Sequence, residues 1–285
     1  MDRRLLDADA LRAALGPRWA RVDLVAETRS TNADLLARHD APDRTVLIAE
    51  LQSAGRGRLD RAWTSPAGAG LTFSVLLRPD APIATWGWLP LLTGVALHTA
   101  VTEFAGVDAA LKWPNDLLAL ASAPASPPRE PGLTVGAIPR KVAGILAQTS
   151  GEAVVIGVGL NVSTTADELG LDTATSLALS GARDVDRGGL LVAILTALDA
   201  RVAQWADVGG DAEACGLATA YSSVCATLGR PVSVAVTHGG LPGDEADRPI
   251  VGTARSIDSD GRLVVETDRG HEVIGAGDVQ HLRPA

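Results

Sequence analysis

The chain has 285 residues, 46% of them hydrophobic, enough for one large core or two unequal ones. Its formal net charge of −9 argues against a general nucleic-acid binder, which needs a basic face, but leaves room for a ligand phosphate held by a few local arginines. No apolar run approaches the roughly 20 residues of a bilayer span, and the start, Met1-Asp-Arg-Arg-Leu-Leu-Asp7, lacks the apolar stretch of a signal peptide.

Leu5, Leu6, Leu11 and Leu15 set an amphipathic helical pattern, followed by a short apolar stretch over Val22–Val25. Ser30-Thr31-Asn32 is a good N-cap for a helix over residues 33–38. Residues 45–51 and 70–77 predict strands, and residues 89–104 a buried helix. Ala110 to Trp113 reads as extended before a proline turn. Residues 121–139, rich in Pro, Ala and Ser, predict a mobile surface insertion rather than a domain boundary. Residues 141–148 and 153–162 predict a hairpin turning at 149–152. Apolar residues at 191, 194, 195, 198, 202 and 205 place a core helix over 190–205. From about residue 222 the short runs 232–237, 250–257, 262–267 and 272–274, broken by Gly, Asp and Pro, predict a small β-barrel. The expected division is therefore a domain over 1–221 and a second over 222–285. Cys215 and Cys225 stand ten apart with no histidine near, which fits neither a disulfide framework nor a zinc site, so a reducing cytoplasm is the expected setting.

Four segments can carry chemistry. Gln52 to Trp63 places Arg56, Arg58 and Arg61 within six residues, with glycines at 55 and 57. Glycine admits close backbone approach and arginine offers bidentate donors, which suits a polyphosphate, although a solvated basic loop has the same composition. The P-loop spacing is absent. Lys112-Trp-Pro-Asn-Asp116 joins a cation to two short polar groups at a fixed turn, which can orient a nucleotide, contact Mg²⁺ through Asp116, or be an ordinary turn. Lys141 heads an apolar strand, where a rim residue and a pocket-facing ammonium look alike. Lys112 and Lys141 are the chain's two lysines among 25 basic residues, so both are candidates for a place where a compact ammonium does what a planar guanidinium cannot. Gly157 and Gly159 fall on one face of a strand, where a ligand or a packed helix meets bare backbone. That G-x-G opens no helix and lacks a third glycine, so the dinucleotide fingerprint fails.

In order, Ser30-Thr-Asn32, Gln52-x-Ala-Gly-Arg-Gly-Arg-x-x-Arg-x-Trp63, Lys112-Trp-Pro-Asn-Asp116, Arg140-Lys-x-Ala-Gly-Ile-Leu146 and Gly157-x-Gly-x-Asn161 resemble the biotin–protein ligase family over about residues 25–206. The C-terminal segment is similar to that family's SH3-like domain. The resemblance implies an α+β fold: a mixed sheet with flanking helices, of the class II aminoacyl-tRNA synthetase and biotin ligase type, plus a small C-terminal SH3-like β-barrel. It implies an ATP-dependent ligase that forms biotinoyl-5′-AMP and passes biotin to a lysine of a biotin carboxyl carrier domain of acyl-CoA carboxylases. Biotin and ATP with Mg²⁺ are then the substrates. No tightly bound prosthetic group, nucleic acid or membrane is expected, and the chain is expected to be a monomer or a weak ligand-dependent dimer.

Residue by residue, the same resemblance implies that Ser30, Thr31 and Gln52 hydrogen-bond the ureido ring of biotin, with backbone from Gly55 and Arg56. Arg58 and Arg61 would belong to a loop closing over the adenylate, and Trp63 would lie beside the adenine or the biotin tail. Lys141 would contact the biotin carboxylate and the α-phosphate, while Gly157 and Gly159 line the tail. Lys112, Asn115, Asn161, Thr175, Ser176 and Arg283 would serve the nucleotide, and Asp116 the chemistry and Mg²⁺. Three departures stand out. Leu59-Asp60 occupies positions where relatives often have a basic or polar residue and then glycine. The segment between Asp116 and Lys141 is longer than usual. About 29 residues precede Ser30, too few for a winged-helix DNA-binding domain, so a monofunctional ligase is expected. A lipoate–protein ligase and a non-catalytic biotin sensor are the alternatives. The C-terminal β segment argues against the first, and the retained Lys141 and arginines against the second.

Overall fold

The structure, a computed structural model, describes residues 3–120, 139–235 and 249–282. The expected insertion at 121–139, save its last residue, and Arg283 lie outside the described residues.

Seven strands form one mixed sheet: β1 (Arg21–Thr28), β2 (Thr45–Gln52), β3 (Gly70–Leu77), β4 (Ala109–Lys112), β5 (Asp116–Ala119), β6 (Arg140–Ser150) and β7 (Ala153–Asn161). Their order is β1-β2-β3-β7-β6-β5-β4. Only the β1–β2 pair is parallel. Alternation along the strands divides the two faces. Val46, Ile48, Phe73, Val75, Ile156 and Val158 join the main core, on which α3 (Trp88–Ala105) and α5 (Arg187–Asp207) pack against each other. Leu47, Leu76 and Val155 point the other way, under Leu35 of α2 (Thr31–Leu36).

That second face changes character next to α2. Along β3 and β7, Leu76 opposes Val155, Ser74 opposes Gly157 and Thr72 opposes Gly159, and β6 adds Gly144 and Leu146 across from the two glycines. Asp116 of β5 opposes Gly144 in turn. A strip of mostly small and polar positions thus crosses four strands, overlain at Gly157 by Asn32 of α2 and at Gly159 by the Trp63 indole.

By length and composition α5 would suit a bilayer, yet its residues Leu190, Leu191, Ile194, Leu195, Leu198, Val202 and Trp205 are buried, and it packs on α3 and on α1 (Ala8–Leu15). At its start Arg187 is also buried, paired with Glu50 of β2 at 3.0 Å and donating to the Gly70 carbonyl. This charge has its partners, as burial requires.

Besides the short α4 (Ala166–Leu169), the sequence reading omitted α6 (Leu217–Val224), which crosses the expected boundary at 221/222 and packs on α3. Beyond it β8 (Pro231–Ala235), β9 (Ile250–Ile257), β10 (Leu263–Thr267), β11 (Gly270–Ile274) and β12 (Asp278–His281) form an antiparallel sheet in the order β11-β10-β9-β8-β12. Among the described residues its outer strands do not pair with each other, so the expected closed barrel is seen as an open five-stranded sheet. The β9–β10 turn grips the first sheet's helices and loops: Trp88 Nε1 donates to the Ser259 carbonyl at 2.9 Å and Trp113 Nε1 to the Gly261 carbonyl at 3.2 Å. The Lys112–Asp116 segment is therefore braced from the second sheet.

Candidate active site

At the N-terminus of α2 the Ser30 side chain caps Ala33, and the Thr31 N–H donates to Gln52 Oε1 at 2.7 Å. Thr31 and Asn32 are buried, and with Ser30, Gln52, Trp63 and Gly157 they line a narrow recess of about 40 Å³. Trp63 stands between this recess and an outer cleft of about 900 Å³, and lines both. Its indole lies directly on Gly159, where a Cβ would come within 2.3 Å of the ring. The indole N–H is buried without a hydrogen-bond partner among the described residues, an orphan donor that a ligand oxygen would satisfy.

Lys141 marks the junction of the two spaces. Its Nζ sits 2.6 Å from Asp116 Oδ1 and 5.7 Å from the centre of the Trp63 ring, with its stem along Gly144. Backbone bonds to both sides of the residue fix it: Lys141 N–H donates to the Thr173 carbonyl, and Thr175 N–H to the Lys141 carbonyl, each at 2.8 Å.

The outer cleft is cationic on one wall. Arg58, Arg61 and Lys112 line it, facing Asp278 and His281 of β12. The arginine loop is closed on itself by Trp63 N–H to Gly55 carbonyl at 2.9 Å and by Gly57 N–H to Arg61 carbonyl at 2.6 Å. Between them Leu59 takes φ 54°, ψ 41°, a left-handed conformation that costs a non-glycine residue about 1–2 kcal/mol. The departure at Leu59-Asp60 thus puts a branched side chain where the backbone favours glycine. Arg61 spans the two sheets to Asp278 at 2.5 Å. Burial works to raise the Asp278 carboxyl, but the Arg61 hydrogen bond and the charges of Arg61, Lys112 and Arg58 hold it below the usual carboxylate range. Burial pushes the Arg58 guanidinium down, opposed by Asp116 and Asp278, whereas the Asp278 bond pushes Arg61 up. Burial, with Lys112 and Arg230, lowers His281 to about 4, so its ring is neutral near pH 7 and meets Thr227 Oγ1 at 3.1 Å. The same Thr227 hydroxyl accepts from Trp113 N–H.

The remaining expected residues divide. Asn115 lines both spaces but spends its amide on the Ile145 carbonyl at 2.9 Å, stapling the Lys112–Asp116 turn to β6. Asn161 lines the cleft and donates to the Thr175 carbonyl at 3.0 Å. Thr175 and Ser176 are buried and shape their own loop, Ser176 Oγ accepting from Leu179 N–H. The side chains of that segment on the cleft are Leu171, Thr173 and Ala174. Gly55 is buried under Trp63, while Arg56 lines the recess and pairs through its backbone with Ala62. Ser74, Gln148, Asp278 and His281 escaped the sequence reading. Ser74 alone had a signal there, a hydroxyl in the otherwise apolar run Leu71–Leu77, broken only by Thr72 and Ser74.

Chemically, the arrangement suits a ligand with an uncharged polar head for the recess, a narrow neck over Gly157 and Gly159, and a carboxylate at Lys141. A polyanion would then lie along Arg58, Arg61 and Lys112. Three His, Cys, Asp or Glu side chains that could hold a metal do not gather anywhere among the described residues.

Residues 23–161 match the Biotin/lipoate A/B protein ligase family, and residues 243–282 match the Biotin protein ligase C terminal domain. The chain is 40% identical to the Biotin--[acetyl-CoA-carboxylase] ligase of Mycobacterium tuberculosis, over 98% of this chain and 96% of that one. It is 30% identical to the Bifunctional ligase/repressor BirA of Bacillus subtilis, over 90% of this chain and 72% of that one. In fold it is similar to the biotin protein ligase from Aquifex aeolicus in complex with biotin and ATP, with a TM-score of 0.69, 24% identity, and coverage of 93% of this chain and 100% of that one.

Proposed function

Since the chain belongs to the biotin–protein ligase family, we propose that it joins biotin to ATP as biotinoyl-5′-AMP and passes the biotinoyl group to a lysine of a biotin carboxyl carrier domain of an acyl-CoA carboxylase. The observation that carries this reading is the continuous path from an uncharged polar recess, past Lys141, into a cationic cleft.

The ureido ring of biotin enters the recess at Ser30, Thr31 and Gln52, with the backbone of Gly55 and Arg56 beside it. The tail crosses Gly157 and Gly159, and the Trp63 indole moves aside as it enters. Biotin's carboxylate and the triphosphate repel each other, so the first task is charge compensation. Lys141 holds the carboxylate against the α-phosphate, and Asp116 positions Lys141. Arg58, Arg61 and Lys112 take the triphosphate, while Asn115, Asn161 and the 171–176 loop bound the adenosine side. A carboxylate oxygen then attacks the α-phosphorus, and the bond to the bridging oxygen breaks as pyrophosphate leaves. In the second step the carrier amine attacks the acyl carbon, AMP departs with the bonding electrons, and the amine sheds a proton. The arginine loop shields the mixed anhydride from water between the two steps.

Asp116 does not fit a resident Mg²⁺, because its carboxylate already faces an ammonium at 2.6 Å. A magnesium ion brought by ATP would be held chiefly by phosphate oxygens. The C-terminal sheet, in the stretch that matches the Biotin protein ligase C terminal domain, supplies Asp278 and His281 to the cleft.

Exchange of labelled pyrophosphate into ATP tests the proposal. Exchange with biotin and not with lipoate is expected, followed by biotin transfer to a carrier domain. Exchange with lipoate alone would make the chain a lipoate ligase, and exchange with neither would leave it a binding protein. A second expectation concerns Asp278, which competes with phosphate for Arg61. Asp278→Asn should lower the KM for ATP about two- to five-fold, the scale of an exposed ion pair, with the gain fading in high salt. An unchanged or higher KM would show that Asp278 does not compete with the nucleotide.

A further inference from the structure

Residues 3–6, ahead of α1, are tied down at both ends. At one end the Leu6 N–H donates to Glu50 Oε1 at 2.5 Å, and the Arg4 carbonyl accepts from Arg187 Nη2 at 2.6 Å. That end is thereby pinned to the buried Arg187–Glu50 pair. At the other end Arg3 Nη2 donates to Glu168 Oε2 at 2.6 Å and to the Ser163 carbonyl at 3.5 Å. The Arg3 stem runs against Gly68, where an added Cβ would come within 2.8 Å of Arg3 Cβ. The two charged side chains keep 22% and 31% of their surface, which makes this a partly shielded ion pair.

Glu168 belongs to α4, where its Oε2 also accepts from the Thr165 N–H at 3.0 Å and closes the helix's capping box. The Arg3 hydrogen bond first, and the Thr165 N–H second, hold its carboxyl down at about 2, so the pair is ionised near neutral pH. With four residues and no buried side chain, α4 has little packing of its own to hold it in place. The chain that follows reaches the reaction centre. After a left-handed turn at Gly170, Leu171, Thr173 and Ala174 line the outer cleft. Thr173 and Thr175 then bracket the backbone of Lys141. The segment from 163 to 177 is thus held at one end by Lys141 and at the other by Arg3.

We propose that Arg3 is a positioning residue for the nucleotide: through Glu168 it fixes α4, and α4 sets the place of the 171–174 wall of the cleft. The inference rests on the reading that this wall bounds the adenosine side. Arg3 and Glu168 line neither the recess nor the cleft, so they act on the nucleotide only through the loop. The recess at Ser30, Thr31 and Gln52 is built from other elements and does not depend on the pair.

Pyrophosphate exchange by the full chain, with ATP and biotin varied in turn, tests the assignment. Arg3→Ala should raise the KM for ATP about two- to five-fold, the scale of an exposed ion pair, with kcat and the KM for biotin unchanged. The difference from the parent should shrink as salt screens the pair. Glu168→Gln keeps a residue that can close the capping box and removes the charge, so it should match Arg3→Ala and serves if that variant does not fold. The double variant Arg3→Ala/Glu168→Gln should be no worse than either single one, as expected of one shared interaction. An unaltered KM for ATP in both single variants, an equal rise in the KM for biotin, or additive effects in the double variant would overturn the proposal. Absence of any biotin-dependent exchange in the unmodified enzyme would instead overturn the biotin reading itself.

Discussion

Gly157→Ala is expected to raise the KM for biotin at least about 100-fold, because a methyl group there enters the one side chain that cannot yield. The added Cβ would stand 2.1 Å from Asn32 Oδ1 and 2.9 Å from its Cγ. Asn32 is held on three sides, by the Leu146 carbonyl, by Gln148 and by Ser74. Displacing it breaks the hydrogen-bonded floor of the recess and strands buried polar groups. A stability loss of about 1–3 kcal/mol should accompany the lost binding, as for other overpacked cores. Gly159→Ala makes the contrast. Its Cβ would meet the Trp63 ring, which stands on a loop and can swing, so the fold should hold while the tail strip narrows. Urea unfolding with biotin titration reads both quantities. Biotin binding by Gly157→Ala at the parent's affinity would mean that the ligand does not lie against this strand.

Lys141→Ala should cut biotin-dependent pyrophosphate exchange by about 10²- to 10³-fold at saturating biotin, the scale of losing one preorganised electrostatic group in a water-poor site. Two effects combine. The ammonium no longer offsets the meeting of carboxylate and α-phosphate, and Asp116 is left without its partner at the same junction. A single cationic point becomes an anionic one. The variant Lys141→Ala/Asp116→Asn separates the two effects, because it removes the stranded charge without restoring the cation. It should recover about ten-fold of the loss, an electrostatic contribution of roughly 1.4 kcal/mol to the barrier. No recovery would assign the whole defect to the missing ammonium. Exchange above a tenth of the parent's in Lys141→Ala would remove the lysine from the reaction. Lysine cannot be traded for arginine here, since its stem runs along Gly144 beneath the Trp63 ring and a planar guanidinium needs more room.

Much of the molecule was legible from residue order. Apolar β-rich runs located strands β2, β3 and β7, a long apolar run located α3, core-helix spacing located α5, and the scarcity of lysine singled out Lys112 and Lys141, which both line the cleft. The pair Gly157 and Gly159 correctly marked a strip of bare backbone, but its coverings, Asn32 and the Trp63 indole, come from elements 125 and 96 residues away in the chain. Loops defeated the same reasoning where a residue's role depends on which way its side chain turns. Asn115 gives its amide to the Ile145 carbonyl 30 residues on, and Thr175 and Ser176 bond within their own loop, which no spacing rule reports.

Composition and periodicity by themselves determined most helices and strands, the cationic loop and the two lysines, because each of these is a property of neighbours along the chain, and motif order carried the family resemblance that implied a mixed-sheet ligase. Tertiary structure alone decided that Asp278 meets Arg61 across 217 residues, that the C-terminal strands lie open beside the cleft, and that Ser74 completes the floor of the recess. Those outcomes depend on strand register and on the docking of two sheets, and an isolated Asp or Ser in a sequence carries no record of either.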